Sequence, residues 1–213
     1  MSPATWRLME RLFRSHPWHG APIGAQVPEV VTVYVEIVPT DTVKYELDKD
    51  TGYLRVDRPQ RFSNVCPALY GFVPQTYCGE RNGELAAQRT GKPGIVGDRD
   101  PLDICVLTEK SILHGDILLE ARPIGGLRMI DRGEADDKII AVLDGDVTFG
   151  GIRELKELPP GVIERLEHYF LSYKQPPGSG PAPKVRIAER YDNHEAKEVI
   201  VASIEDYAML MDS

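Results

Sequence analysis

The run Gly97-Asp98-Arg99-Asp100-Pro101-Leu102-Asp103 places three carboxylates within six residues, directly before the apolar run Ile104-Cys105-Val106-Leu107. Two carboxylates about 5 Å apart repel by roughly 3 kcal/mol at an effective dielectric of 20, so carboxylates that converge need a cation or raised pKa values. Hard divalent cations with oxygen ligands meet that need, and Pro101 restricts how the side chains splay. Asp131, Asp136 and Asp137 form a second acidic group after the strand-like run ending at Ile130. Brought together, the two groups would line one cavity with carboxylates. An EF-hand is the rival reading, because Asp98, Asp100 and Glu109 fall at loop positions one, three and twelve. Leu102 at the fifth position, and Asp103 where the loop demands glycine, argue against it.

A basic and aromatic set accompanies the acids: Lys44, Arg58, Tyr70, Lys138, Tyr173 and Lys174. Four cations offset the charge of a di- or polyphosphate, and the aspartates left over still require metal. That balance describes phosphate oxygens held by Lys, Arg and Tyr while divalent ions bridge them to Asp. No P-loop and no G-x-G-x-x-G occurs, so a nucleotide fold of those kinds is not indicated.

Strands must carry most of these residues. Val30–Pro39 is β-branched and aromatic-rich, with Glu36 as its one odd residue. Val43–Leu47 alternates, with Lys44 and Glu46 on one face, and Tyr53–Asp57 follows after the turn marked by Asp50 and Gly52. Ile104–Leu107, Ile117–Ile124 and Lys138–Leu143 add three more. Six short strands of this kind are typical of an antiparallel barrel or sandwich. Residues 161–173 and Glu195–Met211 have helical spacing; Pro159-Pro160 starts the first, and Asn193 is the expected N-cap of the second. The polar segment Glu80–Gly97 and residues 175–183 read as mobile loops.

Composition excludes several classes of function. The chain has 213 residues with no visible repeat or linker, and reads as a single domain. No apolar run approaches the ~20 residues of a membrane span. Acidic residues outnumber basic ones by 33 to 25, so nucleic acid would meet net repulsion. Cys66, Cys78 and Cys105 fit neither a disulfide framework nor a C-x-x-C metal site, and read as reduced thiols in a cytoplasm. In residues 5–14, within an N-terminal extension taken as 1–20, Trp6, Met9, Leu12 and Phe13 share a helical face, which suggests a short docking helix; an organelle presequence is the alternative.

Taken together these residues resemble the soluble family I inorganic pyrophosphatases. The resemblance covers roughly residues 16–207 and runs in the family's order through Glu36, Lys44-Tyr45-Glu46, Val56-Asp57-Arg58, Tyr70-Gly71, Asp98-x-Asp100-Pro101-x-Asp103, Asp131, Asp136, Lys138 and Tyr173-Lys174. Phe62-Ser63-Asn64 before Cys66-Pro67, and Ala121 to Gly126, look most like the chlamydial members. The resemblance implies a mainly β protein with peripheral helices, built on a five-stranded OB-type β-barrel. It further implies Mg²⁺-dependent hydrolysis of pyrophosphate to two orthophosphates, with Mn²⁺ or Zn²⁺ as substitute ions, and a homo-oligomer, either hexamer or dimer. Asp98, Asp103 and Asp136 would bind a first Mg²⁺, Asp103 would be shared with a second, and Asp131 and Asp136 would serve ions arriving with substrate. Glu36 and Glu46 would act at or near that shell. Asp100 would be the general base, and Lys44, Arg58, Tyr70, Lys138, Tyr173 and Lys174 would contact phosphate or stabilise the leaving group. The chain departs from the family pattern at Cys66, where many bacterial members carry Tyr, at Arg99, where Gly is usual, and in the length of the 80–97 segment.

Overall fold

The computed structural model describes residues 14–61, 63–174 and 185–212. The expected N-terminal helix and the 175–183 segment lie outside or almost wholly outside those residues. The order of elements is β1 (Val31–Ile37), β2 (Val43–Leu47), β3 (Leu54–Pro59), β4 (Leu69–Phe72), α1 (Glu80–Thr90), β5 (Val96–Gly97) and β6 (Asp103–Leu107). There follow β7 (Ile117–Asp131), β8 (Glu134–Ala135), β9 (Lys138–Leu143), a 3-10 turn at Leu155–Glu157, α2 (Pro160–Ser172), β10 (Val185–Tyr191) and α3 (Asn193–Asp212).

Five strands close into a ring: β1 pairs with β4, β4 with β6, β6 with β9, β9 with β7, and β7 returns to β1. The OB-type expectation is met, with one correction to the antiparallel reading. β6 and β9 run parallel, Asp103 opposite Lys138. Parallel neighbours need a crossover, and the long β7 with β8 supplies it. β2 and β3 form a separate hairpin, while β10 pairs with β7 outside the ring. Both faces of β6 and β9 are buried. Ile104, Val106, Ile139 and Ala141 pack in a cluster with Val199 and Ile200 of α3, and Cys105, Leu107, Ile140 and Val142 pack with Ile163, Leu166 and Phe170 of α2. Each fully buried side chain of this size contributes about 1.5–3 kcal/mol.

Glycines hid two strand segments from the sequence reading. β4 is interrupted by Gly71, where a Cβ would stand 1.8 Å from the Tyr34 carbonyl oxygen, so only glycine lets β1 and β4 pair this closely. β7 continues through Gly125-Gly126 to Asp131, and a Cβ at Gly126 would lie 2.3 Å from the Tyr191 ring of β10.

The segment read as a loop at 80–97 holds a helix, α1. Asn82-Gly83 looks like a turn, but Leu85–Arg89 are good helix formers. Gly83 packs on the Val96–Gly97 backbone, and Asn82 donates to Ser203 Oγ of α3 at 3.0 Å. The N-cap of α3 is Asp192 rather than Asn193, since Asp192 Oδ1 accepts the Glu195 amide at 3.0 Å. Among the described residues no helix is long and apolar enough to cross a membrane.

Candidate active site

Strand geometry brings the acidic and basic sets to one place. Glu36 sits where the β1–β4 register shifts between Val35 and Ile37. A bulge re-aims the side chain it carries, and Glu36 is accordingly buried yet reaches the hairpin, where Oε1 accepts the Leu47 amide at 2.6 Å. On that hairpin Lys44 lies opposite Arg58. Lys44 Nζ is 3.6 Å from Glu46 and 3.3 Å from Asp57, which also pairs with Arg58. Tyr70 on β4 donates to Asp103 Oδ2 at 2.6 Å. The parallel register then places Lys138 beside Asp103, and its ammonium pairs with both Asp103 and Asp136.

The 98–103 loop is tied to its surroundings by backbone bonds. The Cys78 amide donates to the Asp100 carbonyl at 2.8 Å, the Arg99 amide donates to the Cys78 carbonyl at 2.9 Å, and Leu102 is fully buried with its amide on Thr76 Oγ1 at 2.9 Å. Within the loop, Asp98 Oδ1 accepts the Asp100 amide at 3.1 Å. Arg99 has φ 65°, the conformation glycine adopts without cost, and its side chain is exposed rather than aimed between the two aspartates. At the C-terminal end of α2, Lys174 donates to Asp131 Oδ2 at 2.7 Å, and Tyr173 lies beneath the Arg58 guanidinium at 5.8 Å.

A cavity of about 70 Å³ is lined by Glu36, Lys44, Glu46, Tyr70, Asp100 and Asp103 among others. The remaining expected residues adjoin it: Lys138 joins Asp136 to Asp103, Asp98 and Asp136 act on each other, and Lys174 links Asp131 to the charge of Asp136. A groove of about 660 Å³ between α1 and α3 is larger, but its charges pair with one another, as in Arg81–Glu205 at 3.0 Å. We place the chemistry where buried carboxylates converge.

One member of the second acidic group turns away: Asp137 faces Arg128 at 3.4 Å. Two residues were missed by sequence reasoning. Lys49, whose ammonium pairs with Asp100, stands just before the turn marked by Asp50 and Gly52 and carries no signal of its own in the sequence. Asp57, between Lys44 and Arg58, stood within the Val56-Asp57-Arg58 motif, which was the only signal for it. Cys66 is fully buried in the α2 cluster, and burial pushes its thiol up to about 12, so it remains a neutral packing group.

The site is short of positive charge. Burial first, and the Asp136 charge next, push the Asp98 carboxyl up to about 8. Burial raises Glu36 to about 8 as well, against the Leu47 hydrogen bond. Asp136 is raised by burial, with Lys138 opposing. Lys138 itself stays protonated: burial disfavours its charge, but Asp103 and Asp136 outweigh it and raise its pKa well above the usual lysine value. Asp131 Oδ1 is buried with no hydrogen-bond partner, and the Arg132 guanidinium stops 3.8 Å away. Among the described residues, no three carboxylate, imidazole or thiol groups surround one point closely enough to hold a metal ion as arranged. The chemistry of the donor set nonetheless fits a hard divalent cation: every candidate ligand is an oxygen, three carboxyls are pushed toward the neutral form, and one buried oxygen lacks a partner.

Comparison with known proteins agrees with this fold. A family model described as inorganic pyrophosphatase matches residues 33–208. An inorganic pyrophosphatase of Chlamydia muridarum is 52% identical over 198 residues, covering 92% of this chain and 95% of that protein. Soluble inorganic pyrophosphatase 3 of Arabidopsis thaliana is 38% identical, covering 94% of this chain and 82% of its own length. The crystal structure of the inorganic pyrophosphatase from Thermus thermophilus superposes with a TM-score of 0.75 at 29% identity, covering 91% of this chain and 99% of the other. By sequence and by fold, this chain belongs to the inorganic pyrophosphatase family.

Proposed function

We propose that this protein hydrolyses inorganic pyrophosphate to two orthophosphates with Mg²⁺, using Asp100 as general base. The observation that carries the reading is the meeting of Asp103, Asp136 and Lys138, from separate parts of the chain, beside a cavity lined by Lys44, Tyr70 and Asp100. Asp98, Asp103, Asp131 and Asp136, with Glu36 and Glu46 nearby, would hold the ions; an all-oxygen set suits Mg²⁺, with Mn²⁺ as a substitute, better than Zn²⁺. Bound there, divalent ions would lower the pKa of water and offset charge on the phosphate oxygens.

The chain's own residues do the rest. Lys44, Arg58, Tyr70, Lys138, Tyr173 and Lys174 hold the two phosphoryl groups in line, which is most of what phosphoryl transfer requires. The water oxygen forms a bond to phosphorus as the bridging P–O bond breaks. Asp100 takes the water's proton, and the departing phosphate keeps the bond's electron pair beside a protonated lysine. Lys49 pairs with Asp100 and fixes where that carboxylate stands.

Release of phosphate from pyrophosphate, followed colorimetrically, tests this directly. Activity should disappear with chelator, return with Mg²⁺, and fall by about 10²-fold or more in Asp100→Asn and Asp103→Asn. Full activity in either variant would remove the roles assigned. The rival reading, an OB-type module for single-stranded nucleic acid, needs a basic groove with stacking aromatics; this cavity is acidic. Oligonucleotide binding that weakens with salt, without hydrolysis, would restore it.

The same reading carries a cytoplasmic location, supported by three buried, unpaired thiols, and a homo-oligomer, supported by exposed apolar side chains such as Leu113 and Leu118.

A further inference from the structure

A second ionic cluster lies behind the strand that carries the site. Arg128 on β7 is fully buried. Its guanidinium stands 2.9 Å from Glu195 in the first turn of α3, 3.4 Å from Asp137, and 3.6 Å from Glu189 across the β7–β10 pair. The Tyr191 ring packs against it, 5.0 Å from centroid to guanidinium carbon. None of the three guanidinium nitrogens makes an aligned hydrogen bond, and the Tyr191 hydroxyl also lacks a partner. As a contribution to stability this is poor design, because buried charges pairing imperfectly cost more than apolar side chains of the same volume.

The position of Asp137 suggests what the cluster is for. In extended backbone alternate side chains point to opposite faces. Asp136 and Lys138 therefore share the site face, where they pair with each other, while Asp137 between them reaches Arg128. The segment is anchored before Asp137 by the Asp136 amide, which donates to the Met129 carbonyl at 3.0 Å, and by the two-residue β8, and after it by Lys138, paired with Asp103 on β6 and Leu127 on β7; Asp136 and Asp137 themselves lie in the unpaired stretch between. We propose that Arg128 is a positioning residue: by gripping Asp137 from behind, it sets where Asp136 and Lys138 stand in the metal and phosphate site. Through Glu195, which also meets Arg89 of α1 at 3.3 Å, the grip extends to both helices on that side. This inference rests on the reading of the site given above.

The experiment measures Mg²⁺ binding by calorimetry, with Mg²⁺ alone as the probe, on folded full-length protein. Arg128→Met and Asp137→Asn should each weaken binding about tenfold, the usual effect of losing a group that orients a metal ligand. The double variant should be no worse than either single one, since the two act as a unit. Arg128→Lys should recover part of the loss. Arg190→Gln, which breaks the exposed Arg190–Glu167 pair at 2.6 Å, should bind Mg²⁺ as the wild type does, separating positioning from general loosening. Wild-type Mg²⁺ affinity in Arg128→Met or Asp137→Asn overturns the proposal. If Arg128→Met fails to fold, Asp137→Asn, which keeps its side-chain volume, decides alone. Asp136→Asn distinguishes the two levels: wild-type binding there means the underlying site assignment has failed, whereas loss there with normal binding in Asp137→Asn means only the positioning role has.

Discussion

At the scale of single residues, two side chains invite direct tests. Arg99 holds φ 65° with its guanidinium in solvent. A left-handed conformation costs a residue with a Cβ about 1–2 kcal/mol, and glycine avoids that cost while losing some of it to chain entropy. Arg99→Gly should therefore stabilise the protein by up to about 1 kcal/mol, read as a higher urea midpoint; a lower midpoint would show that the arginine contributes a contact. His19 stacks on Trp18 with ring centroids 4.3 Å apart and meets the Tyr207 hydroxyl at 2.8 Å. Burial, with the neighbouring His16, holds its pKa below the ordinary 6.5. The unfolded chain then takes up the proton at higher pH than the folded one, so the stabilisation is complete above pH 6.5 and is lost as pH falls toward the folded value. Thermal unfolding should show a larger drop between pH 7.5 and 5.5 for the wild type than for His19→Gln; equal drops would remove His19 from the account.

Among the elements, α1 and α3 act together on the acidic loop. Asp206 of α3 caps α1 from outside: its two carboxylate oxygens accept the amides of Gly79, Arg81 and Asn82 at 2.8, 3.0 and 3.1 Å. Cys78, directly before that cap, holds the Asp100 carbonyl. Asp206→Ala orphans three amides at once and should cost about 2–3 kcal/mol, a fall of roughly 5–10 °C in Tm. Because the same turn supports Asp100, pyrophosphate hydrolysis should fall with it even well below the melting point. Full activity at lowered Tm would separate the cap from the loop. Sequence periodicity located α2 and α3 to within two residues, because each presents an apolar stripe. It missed α1, which buries chiefly Asn82, Gly83 and Ala86, residues that leave no hydrophobic signature.

For the whole molecule, the surface carries apolar side chains that a monomer gains nothing by exposing. Leu113, Leu118 and Val147 are 68%, 51% and 86% accessible. Light scattering at assay concentration should give a mass that is a multiple of 23.8 kDa, and a monomer there would refute the oligomer. The net charge of −8 per chain disfavours nucleic acid as a partner.

What the sequence by itself determined is the candidate chemistry. Three aspartates within six residues, a second acidic group and a scattered set of Lys, Arg and Tyr point by charge balance to phosphate oxygens held among cations and divalent ions, and the resemblance of the same residues to the family narrows that to a phosphoric anhydride. Alternation also determined the hairpin and the face shared by Lys44 and Glu46. Only the tertiary structure decided which strand lies beside which. A period of two reports that a side chain is buried, and says nothing of its neighbour. The parallel β6–β9 register that sets Asp103 beside Lys138, the bulge that turns Glu36 inward, and the choice of Asp136 for the site while Asp137 faces Arg128 all depend on contacts between residues distant in the chain.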